Sequence, residues 1–196
     1  MKESRGFTLL EVLIATTLLA AMALLLTGSL RVGAGTWDKG EATVERASRM
    51  LLVQQFLRTQ LEAALPLIEQ VEPNRSVLSF RGTGQGLEYV AALSPHIRGG
   101  LYRFRLYLSP RDGSTDLRLA VQHWGGESVL DDVLVLERVE SFRIAYLSWN
   151  EQTREWAWLE EWYQMFMPKQ IRITLKPEGE EVWPPLRVTP RVDALR

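Results

Sequence analysis

Chemistry-bearing residues are scarce in this chain. It has two histidines, His96 and His123, and no cysteine. Disulfides, thiolate zinc sites and cysteine nucleophiles are therefore excluded, and too little imidazole remains for a histidine-rich metal centre. His123 stands beside Trp124 and could act as ligand or base, but an isolated imidazole reads first as a structural or solvated group. The acidic pairs Asp131-Asp132, Glu160-Glu161 and Glu180-Glu181 point to opposite faces if extended, so neither partner shares a site with the other. Surface charge is their plain reading. Asp131 or Asp132 with backbone carbonyls would suit calcium, which needs no signature spacing outside the EF-hand loop. Gly82-Thr83-Gly84-Gln85-Gly86 lacks the spacing and following helix of a dinucleotide fingerprint. No Gly-Lys-Ser/Thr phosphate loop and no Gly-x-Ser-x-Gly elbow is present. The expectation is a chain that is not an enzyme, with no catalytic residues, no metal and no cofactor. Lys+Arg number 23 against 24 Asp+Glu, a net charge of -1, which removes the electrostatic case for nucleic acid.

Two features remain. One is Glu11, the single charged residue between Phe7 and Leu30. An ionisable group inside an apolar stretch is expensive and by default functional. The other is the set Trp156, Trp158 and Trp162. Exposed tryptophans seat partners or sugars, whereas buried ones fill a core. If any of the three rings is exposed, it is the expected partner contact.

The element that positions Glu11 is a 24-residue apolar run, Phe7 to Leu30. As a helix it reaches about 36 Å, enough for a hydrocarbon core of about 30 Å. Thr16, Thr17, Thr27 and Ser29 can return their hydroxyls to the backbone. Lys2 and Arg5 precede the run, so its start stays cytoplasmic and the remainder is exported. A cleavable secretory signal would have a shorter apolar stretch, and Ala20-Ala21-Met22-Ala23 lies inside the run rather than after it. A plain signal anchor gives no reason for Glu11. A glutamate snorkelling to the headgroups is the ordinary alternative.

Gly6-Phe7-Thr8-Leu9-Leu10-Glu11-Val12-Leu13-Ile14-Ala15 resembles the N-terminal motif of type IV pilins and type II secretion pseudopilins. The resemblance implies that a prepilin peptidase cuts after Gly6 on the cytoplasmic side and N-methylates Phe7, making Glu11 the fifth mature residue. A carboxylate in hydrocarbon protonates or finds a cation. In a bundle of parallel helices the new amine of a neighbour can be that cation, and Glu11 then sets register, the best-attested use of a buried ionic group.

Gly33-Ala34-Gly35 is expected to kink or soften the helix, and Trp37 suits a membrane–water interface. From Lys39 to Leu65 a second helical run places Val44, Ala47, Leu51, Gln54, Leu57, Leu61 and Leu65 on one stripe, widened by Met50, Val53, Phe56 and Ala64 and ended by Pro66. After Pro73 the period becomes two. Strands are expected at Ser76–Arg81, Leu87–Ala92, Leu101–Leu108, Leu117–Trp124, Val129–Leu136, Ser141–Leu147, Glu155–Trp162 and Gln170–Lys176. The proline-rich tail from Val182 is at best an edge strand. The expected fold class is α+β and pilin-like: a long N-terminal helix on antiparallel sheet, with seven to nine strands in two sheets or with a large insertion. Its parts are a leader (1–6), a transmembrane helix (7–30), an amphipathic continuation (31–66) and a periplasmic β-rich domain (67–196).

The segment Val135-Leu136-Glu137-Arg138-Val139-Glu140-Ser141-Phe142-Arg143-Ile144-Ala145-Tyr146-Leu147 resembles the J-type minor pseudopilins of type II secretion. A Trp-rich stretch follows, then Met167-Pro168-Lys169-Gln170-Ile171-Arg172-Ile173-Thr174-Leu175. That resemblance implies a non-enzymatic tip subunit of the periplasmic pseudopilus, anchored in the bacterial inner membrane. Its implied partners are other minor pseudopilins, the major pseudopilin, the prepilin peptidase and the inner-membrane assembly platform. The alternatives are a minor pilin of a type IV pilus or competence system, and a membrane-anchored periplasmic domain binding glycan or peptide through its tryptophans.

Overall fold

The structure, a computed structural model, describes residues 9–93, 99–126 and 128–191, and the backbone alone over 25–43. The chain divides into two compact units, Met1–Arg49 and Met50–Arg196. A single helix, α1 (Leu9–Glu62), supplies the described part of the first unit and opens the second. Gly33-Ala34-Gly35, where a kink or softening was expected, is helical throughout. A glycine inside a helix lowers its stability by about 1 kcal/mol without forcing a kink.

Twelve strands follow among the described residues: β1 (Ala64–Leu65), β2 (Ile68–Glu72), β3 (Arg75–Leu78), β4 (Arg81–Thr83), β5 (Gly86–Ala92), β6 (Leu101–Arg111), β7 (Ser114–His123), β8 (Val129–Leu136), β9 (Val139–Asn150), β10 (Glu155–Leu159), β11 (Gln170–Pro177) and β12 (Leu186–Val188). They form a six-stranded sheet ordered β1-β5-β6-β7-β8 with β4 on β5, a four-stranded sheet ordered β10-β9-β11-β12, and a β2-β3 ribbon. The α+β class stands, with three sheets among the described residues where two sheets or a large insertion were expected. The helix gives way at Glu62 rather than Leu65, because Ala64 and Leu65 pair with Ala91 and Val90 on β5. The expected strand Ser76–Arg81 divides into β3 and β4, which join different sheets. Glu155–Trp162 stops pairing with β9 at Leu159. The tail places β12 at a sheet edge, where prolines do least harm.

Turn chemistry sets the β6–β7 register. Arg111 pairs with Ser114, leaving Asp112 and Gly113 as a two-residue loop with φ of 44° and 82°. Two positive φ values define the hairpin turn that Asp-Gly favours.

One core lies within the second unit. Its residues include Val53, Leu57, Leu61 and Ala64 of α1, Leu87 and Tyr89 of β5, Phe104 and Leu106 of β6, Phe142, Ile144 and Tyr146 of β9, and Ile171, Ile173 and Leu175 of β11. The expected helix stripe needs correction at Val44 and Leu51. Val44 and Leu51 are 65% and 61% exposed, whereas Met50 and Val53 pack on the core. Leu51 lies about 100° round the helix from Met50, off the buried face. Gln54, the one polar member of that stripe, donates from Nε2 to the Pro184 carbonyl at 2.8 Å. A polar side chain there is satisfied rather than stranded.

The glycines of 82–86 join the two larger sheets. Gly82 and Trp162 exchange backbone bonds of 3.0 and 2.8 Å, and the Ile144 amide donates to the Gly84 carbonyl at 2.8 Å. The Tyr146 hydroxyl donates to the Thr83 carbonyl at 3.0 Å. At Gly82 a Cβ would run into the Gly86 carbonyl oxygen and Tyr146, so close backbone approach is what this glycine serves.

Burial pushes the Tyr146 and Tyr89 phenols far above their ordinary range, with the charge of Tyr163 adding at Tyr146. Unfolding would return both to a pKa of about 10. Above that pH the unfolded state sheds protons that the folded state keeps, so stability falls as pH rises. Each tyrosine is expected to contribute a slope of up to about 1.4 kcal/mol per pH unit above pH ~10. Urea midpoints of the detergent-solubilised chain between about pH 8 and 11 check this; a flat profile contradicts it.

Candidate functional site

At its start the described part of the first unit is apolar on every side except at Glu11. Leu9, Leu10, Val12, Leu13, Ile14, Leu18, Leu19, Met22 and Leu24 are all exposed, from 49% to 87%. A helix apolar all round is one that lipid or other helices must cover. Thr16 and Thr17 turn their hydroxyls inward, donating to carbonyls three and four residues back at 2.9–3.0 Å. That hides two polar groups an apolar medium would penalise. Glu11 lies in the first described turn with its side chain exposed. Gly6 and Phe7 lie outside the described residues, as does part of the expected span. Among the described residues, no helix is long and apolar enough to cross a membrane.

The tryptophan set does not stay together. Trp162 is fully buried, its Nε1 donating to the Phe166 carbonyl at 2.9 Å and its ring edge-on to Phe166. It offers a partner no surface, so the contact expected of it is corrected: pairing with Gly82 draws it into the core. Trp156 is 52% exposed and Trp158 half-buried, both on β10. Trp156 meets Trp149 of β9 edge-on, with centroids 5.4 Å apart. The Arg172 guanidinium lies over Trp158, 4.2 Å from the ring centroid.

Trp149 and Arg172 escaped sequence reasoning. Their signal was the period-two alternation of β9 and β11, but it needs the antiparallel register: Trp149 opposite Trp156, and Arg172 opposite Ala145.

The remaining polar candidates are engaged locally. His123 Nδ1 is 3.0 Å from the Trp124 carbonyl, and its ring packs edge-on against Tyr102. Asp132 pairs with Arg118 at 3.0 Å and accepts from the Tyr107 hydroxyl at 3.2 Å. Asp131 accepts from the amide of Asp132 at 2.9 Å. Among the described residues, no three His, Asp or Glu side chains are grouped to hold a metal ion.

Residues 1–27 match the family of the prokaryotic N-terminal methylation motif. The chain is 28% identical over 196 residues to the type II secretion system protein J of Xanthomonas campestris pv. campestris, covering 95% of this chain and 92% of that protein. Among solved structures it is similar to a chain of the GspK-GspI-GspJ complex of the enterotoxigenic Escherichia coli type 2 secretion system. That likeness has a TM-score of 0.49 and 16% identity, and covers 72% of this chain and 93% of the other.

Proposed function

We infer that this chain, a J-like pseudopilin by its N-terminal motif and its similarity to a type II secretion J protein, is a minor pseudopilin of a type II secretion system. It is a structural component and not an enzyme. The observation that carries the reading is one helix whose opening exposes apolar side chains on every side but for the single acid Glu11, while its end packs into a β-rich core.

On this reading a prepilin peptidase cuts between Gly6 and Phe7 and methylates Phe7. The apolar helix waits in the inner membrane with the β-rich unit in the periplasm. It then moves into a bundle of like helices, where the Glu11 carboxylate meets the new amine of a neighbour. The subunit sits at the pseudopilus tip with other minor pseudopilins, on a shaft of the major pseudopilin raised by the inner-membrane assembly platform, and assists export of folded proteins. Trp156 and Trp158, joined by Trp149, serve as contact to a neighbour.

Two experiments test this. Gly6→Phe is expected to keep its full-length mass beside an active prepilin peptidase, with secretion falling to the level of a deletion strain; normal trimming of that variant contradicts the site. Co-expressed with the minor pseudopilins of its own system, the full chain is expected to co-purify with them from detergent. Recovery of type IV pilus subunits instead, from native cells, would move it to a pilus.

A further inference from the structure

The outer face of the four-stranded sheet holds an arrangement that helix bundling does not use. β9 and β11 turn Ile144, Tyr146, Ile171 and Ile173 into the core, so alternation sends Arg143, Ala145, Arg172 and Thr174 outward. The register sets Arg172 directly opposite Ala145 on one side and Arg187 on the other, with Arg143 opposite Thr174. From β11 the Arg172 guanidinium reaches across β9 to Trp158 on β10. Ala145 is the small residue it crosses. Arg143, Arg172, Trp158, Thr174 and Glu160 line a groove of about 290 Å³. On the same face, two residues along β10 from Trp158, stand Trp156 and its partner Trp149.

Arg172 directly opposite Arg187 opposes like charges, which costs stability in a sheet. Two arginines against one glutamate in the groove leave it locally positive, in a chain whose net charge is -1. An indole beneath a guanidinium holds the planar fork in place while its edge keeps donors for a carboxylate. The same stacking occupies the Trp158 ring face, which a neutral sugar would need. Charge complementarity therefore favours an anionic occupant, and the exposed Trp149–Trp156 pair adds an apolar seat beside it.

We propose that this face docks an acidic segment of a partner polypeptide, with carboxylates on Arg172 and Arg143 and apolar side chains on Trp149 and Trp156. The proposal gives the neighbour contact of the preceding reading a chemistry, and rests on that reading for which protein supplies the segment. The groove's binding does not depend on N-terminal processing, so the two fail separately.

The test is fluorescence anisotropy of a dye-labelled octapeptide alternating Glu and Leu, titrated with the full chain in neutral detergent. Saturable binding that weakens with salt is expected. Arg172→Ala should weaken it roughly tenfold. Arg172→Lys keeps the charge but loses the flat fork, and should fall between the two. Arg105→Ala, on the six-stranded sheet, should leave binding unchanged. An absence of saturable binding overturns the proposal, as does binding indifferent to Arg172→Ala. So does a preference for the Lys-Leu octapeptide, for cellohexaose or for phosphatidylglycerol doped into the detergent micelles.

Discussion

Glu11→Val is expected to insert in the inner membrane at normal abundance and to leave secretion at the level of a deletion strain. Valine makes the run more apolar, so insertion should not suffer. What it removes is the proposed partner of a neighbour's new N-terminal amine. Once the helix joins a bundle, that amine is a charge held away from water without a counter-charge. Losing one member of a buried pair costs about 3–5 kcal/mol, which is more than a hundredfold in an assembly equilibrium. Glu11→Asp retains the charge and should recover part of the secretion, which a purely hydrophobic role for this position would not predict. Membrane fractionation with a secretion assay separates the two steps. Normal secretion by Glu11→Val removes the register argument.

The second large effect is expected far from the membrane. Gly82→Ala should destabilise the β-rich unit by roughly 3 kcal/mol. A Cβ at Gly82 would lie 2.9 Å from Tyr146 Cζ and 2.9 Å from the Gly86 carbonyl oxygen, and closer still to the Tyr146 hydroxyl. Tyr146 is fully buried and packs against Trp162 and Phe80, so it has little room to retreat. Displacing it also breaks its bond to the Thr83 carbonyl. Tyr146→Phe in the same chain removes the oxygen that meets the new methyl and should recover part of the loss. A double-mutant cycle from urea midpoints would show that coupling. Additive effects would mean that Gly82 and Tyr146 do not share this contact.

Much of this fold is legible in the sequence where burial is one-sided. Leu106, Phe104 and Tyr102 alternate with Arg105 and Arg103, and Asp112-Gly113 turns the chain between β6 and β7. The same holds for Phe142, Ile144 and Tyr146 on β9, and for Ile171, Ile173 and Leu175 on β11. What escapes the sequence is whatever depends on pairing. Ala64 and Leu65 continue the helical period, yet β5 captures them. Ile68–Glu72 has a largely exposed pattern, so no core face marks it as a strand. Trp162 stands at the same short range as Trp156 and Trp158. Only its backbone exchange with Gly82 separates a core ring from surface ones. The Arg172–Trp158 stack spans three strands and has no signature along the chain. At the N-terminus the relation reverses: Gly6 and Phe7 lie outside the described residues, and their expected role rests on the motif around Glu11.

The most direct test of the account is the mass of the mature N-terminus when the full chain is expressed with a prepilin peptidase. The account predicts a chain that begins at N-methylated Phe7. An intact Met1, or a new terminus near Ala23, would contradict it.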